Sequence, residues 1–172
     1  MQILRTLSVA AVAVLQLSAG NRTGPVLVTG AASARAIVVP GTGRVTLLGI
    51  RTPPTARTWT GGSIALDARE RLNGLVAHRF VRLEYPHPIE TGTVPRGAAY
   101  VFLEDGTFVN RVLVREGLAR ASGGRSGAHA AALQEAEADA RAERRGMWAR
   151  QSNYTTPQLP TTQGDNSQDK TP

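Results

Sequence analysis

The residues that could do chemistry in this chain are three histidines, a scatter of carboxylates and an excess of arginine. His87 sits between Pro86 and Pro88, near Glu84 and Glu90. A histidine with two carboxylates is a metal-ligand set, but a proline-rich loop gives it weak spacing. Asp67 and Glu70 recur at helical spacing beside Arg69 and Arg71, the pattern of a solvated, ion-paired helix face. Glu135, Glu137, Asp139 and Glu143 alternate with arginines in the same way. There is no Gly-x-Ser-x-Gly elbow, and GTGR at 41–44 reads as a hairpin turn rather than a phosphate loop. The chain has no cysteine, which excludes a disulfide scaffold, a thiolate metal site and a cysteine nucleophile. Lys and Arg number 20 against 13 Asp and Glu, for a net charge of +7, and Lys170 is the sole lysine. Arginine forks onto phosphate and carboxylate, so the charge leaves a polyanionic partner open.

The elements that must position these groups fit one domain, since 172 residues are too few for two ordinary ones. Strands are predicted at Val26–Gly30, Arg35–Val39 and Arg44–Ile50, with AASA (31–34) as a small-residue turn. Ser63 is read as the N-cap. After it Ile64, Ala65, Ala68, Leu72, Leu75 and Val76 mark an amphipathic helix over 63–78. Phe80–Tyr85 and Ala98–Glu104 are the next strands. Phe108–Gly117 and Gly127–Arg145 are two further helices, each with a glycine at its end. Five short strands with a helix between the third and fourth give an α+β chain in the order of a small oligonucleotide/oligosaccharide-binding (OB) barrel.

Residues 1–20 place Arg5 before an apolar run and then Ser18, Ala19 and Gly20. That is the pattern of a secretory signal peptide cut after Ala19 or Gly20, so the expectation is an exported protein, periplasmic or secreted. Residues 151–172 are Gln, Thr, Pro, Asn and Asp with little to bury, the composition of a disordered polar tail. The folded body is then expected at 25–150.

Three segments of that body resemble the staphylococcal nuclease-like family. LLGIRTPP (47–54) is similar to the family's leucine-rich strand ending in Asp-Thr-Pro-Glu. PRGAAYVFLEDGTFVNRVLVREGLAR (95–120) is similar to its Gly-Arg strand, Asp-Gly turn and following helix. AHAAALQEAEADARAERRGMW (128–148) is similar to its last helix. The resemblance implies a five-stranded OB-fold β-barrel with three helices. It also implies hydrolysis of phosphodiesters in DNA and RNA with one calcium ion. In such a site two aspartates and a backbone carbonyl hold the ion, a glutamate positions the attacking water, and two arginines grip the phosphate.

Carried over by position, the metal-binding aspartate falls on Arg51 and the glutamate on Pro54. The first phosphate arginine falls on Thr46, and the second is retained as Arg96. The other aspartate belongs near 30–35, where TGAASAR contains no acid. The aromatic base pocket is missing too: the loop after Arg120 reads ASGGRSG, and Val94 precedes Pro95. His129 falls on a family histidine that packs near the strand-four glutamate, here Glu84, so the two are expected to form a structural pair. The expectation is a nuclease-like domain without the calcium reaction and without a cofactor. Arg51 and Arg96 would share one concave surface that takes nucleic acid or another anion. Two alternatives stand beside it: an active phosphodiesterase with a non-standard metal site drawn from Glu84, Glu90 or Glu104, and an envelope scaffold.

Overall fold

The computed structural model describes residues 21–53, 62–90, 92–122 and 127–150. The signal-like segment 1–20, the tail 151–172, Pro54 and most of the ASGGRSG loop lie outside the described residues. In chain order the elements are β1 (Val26–Val28), β2 (Gly30–Ser33), β3 (Ala36–Val39), β4 (Gly43–Leu47) and β5 (Ile50–Arg51). Then come α1 (Ile64–Val76), β6 (Arg79–Glu84), β7 (Gly97–Leu103), α2 (Val109–Arg115), β8 (Arg120–Ala121) and α3 (Ala130–Ala142). A 3-10 turn at Gly146–Arg150 follows α3.

Alternation builds the strands. In β6, Val81 and Leu83 are fully buried while Phe80 and Arg82 face out. In β4, Val45 and Leu47 point inward and meet Ile37 and Val39 of β3 in the same core. Helix α1 buries Ile64, Ala68, Leu72 and Val76, one residue per turn, as the spacing predicts. Helix α3 buries Ala130, Leu133, Ala136 and Ala140 and packs on α2.

The main sheet is mixed, with six strands in the order β1-β6-β7-β4-β3-β2. Only β4 and β7 run parallel. Its two edge strands are consecutive in the chain, separated by Thr29 alone. Counted as one bent strand, β1 and β2 bring the sheet to the expected five. That bent strand pairs with β6 through β1 and with β3 through β2, so it holds the two edges of the sheet together by chain continuity rather than by a β1–β2 ladder. The fold is α+β, with three helices around this curled sheet.

Two local expectations are corrected. The strand expected at Arg44–Ile50 ends at Leu47, where a turn at Leu48-Gly49 carries the chain to β5 in a separate ladder. AASA is not a turn: Gly30–Ser33 is strand β2, and the turn falls at Ala34-Arg35. The small residues are held as strand from two sides. Ala31 pairs with Ile37 of β3, and the Ala31 N–H donates to Asn73 Oδ1 on α1 at 2.9 Å.

Candidate functional site

Thr46 stands in the middle of β4, opposite Ala36 on one side and Ala98 of β7 on the other. The chain then turns at Leu48-Gly49 and leaves the main sheet. This transfers Arg51 to a separate two-stranded ladder, β5 with β8. The turn is fixed from below by Asn110, a fully buried side chain on α2. Its Nδ2 donates to the Leu48 carbonyl at 2.7 Å, and its Oδ1 accepts from the Val101 N–H at 3.0 Å. Thr46 and Arg51, five residues apart, therefore belong to different sheets.

A cleft of about 430 Å³ opens between β4, β7 and the start of α3. Its apolar wall includes Leu48, Ile50, Tyr100 and Leu133, and its polar lining includes Asn21, Arg35, Thr46 and Ser122. Among the described residues its one charged lining group is Arg35, and no carboxylate lines it. Arg35 precedes Ala36, the strand partner of Thr46, and its carbonyl accepts from the Leu47 N–H at 2.8 Å. A cation thus stands one residue along from the position opposite Thr46. Motif comparison misses Arg35, because only the β3–β4 register places it there.

The retained arginine is partly engaged. Arg96 is exposed, and its Nε donates to the Thr42 carbonyl at 3.1 Å. The loop before it is pinned twice: Tyr85 Oη donates to the Pro95 carbonyl at 2.8 Å, and Thr42 Oγ1 to the Val94 carbonyl at 3.2 Å. Burial pushes the Tyr85 hydroxyl above its ordinary pKa, which keeps it a donor. Arg51 is exposed at the end of β5, directly opposite Arg120 of β8. Neither Arg51 nor Arg96 lines the cleft, so the expected shared concave surface does not coincide with it. Pro54 lies outside the described residues.

Among the described residues, those that line the cleft do not fit a calcium ion, since no carboxylate is among them. A hard dication needs several oxygen ligands. Among the described residues no three His, Asp or Glu side chains converge. Glu84, Glu90 and Glu104 are not brought together, and Glu84 is already committed.

Glu84 and His129 do meet. Glu84 ends β6, is 5% exposed, and its Oε1 lies 2.9 Å from His129 Nε2 just before α3. Its Oε2 accepts from Arg22 Nε at 2.7 Å, and Arg22 Nη2 lies 2.6 Å from the same oxygen. Arg22 is a partner that the sequence reading lacked. The His129 ring is held edge-on by Tyr100 at 4.6 Å and tilted on Phe108 at 4.9 Å. Burial opposes ionisation of Glu84, but the His129 and Arg22 hydrogen bonds outweigh it and hold its carboxyl below the ordinary value of 4.5. A depressed carboxyl stabilises the fold above its unfolded pKa, and that stability is lost as pH falls through the folded pKa. The melting temperature of wild type is therefore expected to fall more steeply than that of Glu84→Gln as pH drops from about 5 to about 3. Parallel melting curves against pH would remove Glu84 from acid sensitivity.

Compared with protein-family models, the chain matches staphylococcal nuclease homologues over residues 44–150. The match begins at β4 and runs through the final 3-10 turn. No curated protein matches the chain.

Proposed function

We propose, for a chain that belongs to the staphylococcal nuclease homologue family, that it has lost the family's calcium-dependent phosphodiester hydrolysis and binds a polyanion, foremost nucleic acid, without a metal. The observation that carries this reading is the exchange of charge at the site. A guanidinium, Arg51, stands where the family resemblance puts a metal-binding aspartate. Arg35 is the charged lining group of the neighbouring cleft, and no carboxylate among the described residues faces it. At an effective dielectric of 20, two like unit charges about 4 Å apart repel by about 4 kcal/mol. Arg51 therefore opposes a cation in addition to removing a ligand. The same charges favour phosphate, which guanidinium groups bind through forked, charge-assisted hydrogen bonds.

Arg96 remains as a partly engaged cation beside the β3–β4 turn. The excess of arginine over the whole chain supplies the long-range field that draws a polyanion in. The N-terminal pattern of a cationic residue, an apolar run and small residues supports export, with the protein acting in the periplasm or outside the cell.

Calcium tests the loss of the metal site. Millimolar calcium is expected to leave the melting temperature of wild type unchanged, because a ligand that does not bind the native state cannot stabilise it. A rise of several degrees would show a working metal site and return the chain to the active nucleases.

A further inference from the structure

Arg51 and Arg120 are directly opposite each other on the antiparallel β5–β8 ladder. Residues paired in this way project to the same face, with Cβ atoms about 4.5–5.5 Å apart, and like charges so placed destabilise the pair. Neither arginine forms an ion pair or hydrogen bond with a carboxylate among the described residues. The carboxylate on the adjoining stretch of α3, Glu137, is occupied: Oε1 faces Arg141, and Oε2 accepts from the Ala121 N–H at 3.0 Å. Arg120 is also held in place. Its guanidinium carbon lies 4.6 Å from the ring centre of Trp148, a residue 4% exposed, and its Nε reaches Met147 Sδ at 3.5 Å. Arg141 covers the same indole at 4.3 Å.

We infer that Arg51 and Arg120 form a two-arginine clamp that grips one phosphate group of a nucleic-acid backbone without a metal. The inference rests on the polyanion-binding reading and gives it a specific contact. The clamp explains an otherwise costly arrangement. Two facing cations without an acid are relieved by an anion between them, and Trp148 stacking holds one guanidinium in place before the anion arrives, which lowers the ordering cost of binding. The second cation is Arg51 itself, so the change that removes a metal ligand also supplies half of the clamp.

The test is anisotropy of a labelled single-stranded oligonucleotide in chelator, at about 50 mM salt and above. Arg51→Ala and Arg120→Ala are each expected to weaken binding about tenfold, with the double variant little worse than either, because both side chains hold one anion. The salt slope of the double variant is expected to flatten by about 0.7, the value for one phosphate on a single strand. Losses that add, or a slope change twice as large, would mean two separate contacts and overturn the clamp. Arg120→Lys keeps the charge but loses the fork and the planar stack on Trp148. It is expected to fold as wild type by circular dichroism and to bind about as weakly as Arg120→Ala, and full binding would overturn the forked grip. Inorganic phosphate is expected to raise the melting temperature of wild type but not of Arg51→Ala; an equal rise in both overturns the site. Wild-type binding with unaffected single variants sinks the clamp alone. No wild-type binding at all sinks the polyanion reading with it.

Discussion

Gly117→Ala is expected to destabilise the domain by about 2–5 kcal/mol and to lower its melting temperature by about 10 °C or more. Gly117 ends the turn after α2 in the left-handed region, at φ 71°. Its Cα side faces backbone: an added Cβ would lie 2.2 Å from the Arg145 carbonyl oxygen and 2.6 Å from its carbon. The Gly117 carbonyl in turn accepts from the Met147 N–H at 3.1 Å. Two costs therefore combine, left-handed strain on an L-residue and a clash with backbone that has no rotamer to shift. Gly106→Ala separates them. Gly106 has φ 85° with nothing within 4 Å of an added Cβ, so it carries the strain alone. Urea unfolding of both variants checks the account, and equal losses would remove the backbone contact from it. The contact also matters to the proposed clamp, because it seats Met147 and Trp148 beneath Arg120.

Asn110→Ala is expected to cost about 2–4 kcal/mol. It strands a buried N–H at Val101 and leaves the Leu48 carbonyl without its 2.7 Å partner. The consequence extends beyond stability. Leu48 belongs to the turn that carries the chain from β4 to β5, so Asn110 sets where the chain leaves the main sheet on its way to Arg51. In Asn110→Ala, amide exchange is expected to speed up at Val101 and at Ile50 and Arg51, while α1 stays protected. Uniform exchange throughout the domain would mean that Asn110 adds stability without fixing the turn.

The order of strands and helices is legible because most elements carry their own pattern. The four-residue stripe of α1 and the alternation of β6 need no tertiary information. AASA does not, since alanine and serine have little strand preference of their own. They become strand through β3 on one side and Asn73 on the other, a contact 42 residues away in the chain. The site divides in the same way. Thr46, Arg51 and Arg96 are singled out by the family resemblance, motif by motif, and the expectation of a Glu84–His129 pair comes from the same resemblance. Arg35 and Arg120 are not legible, because cross-strand register brings one beside Thr46 and the other opposite Arg51. The engagement of Arg96 by the Thr42 carbonyl is a loop closure that no local pattern encodes.

In the proposed reading, this staphylococcal nuclease homologue holds nucleic acid without cutting it. The most direct test is incubation of wild-type protein with labelled single-stranded DNA, in calcium and in chelator, followed by native and denaturing gels. A shifted band of equal strength is expected in both conditions on the native gel, with full-length DNA on the denaturing gel. Fragments that appear in calcium and vanish in chelator would contradict that reading.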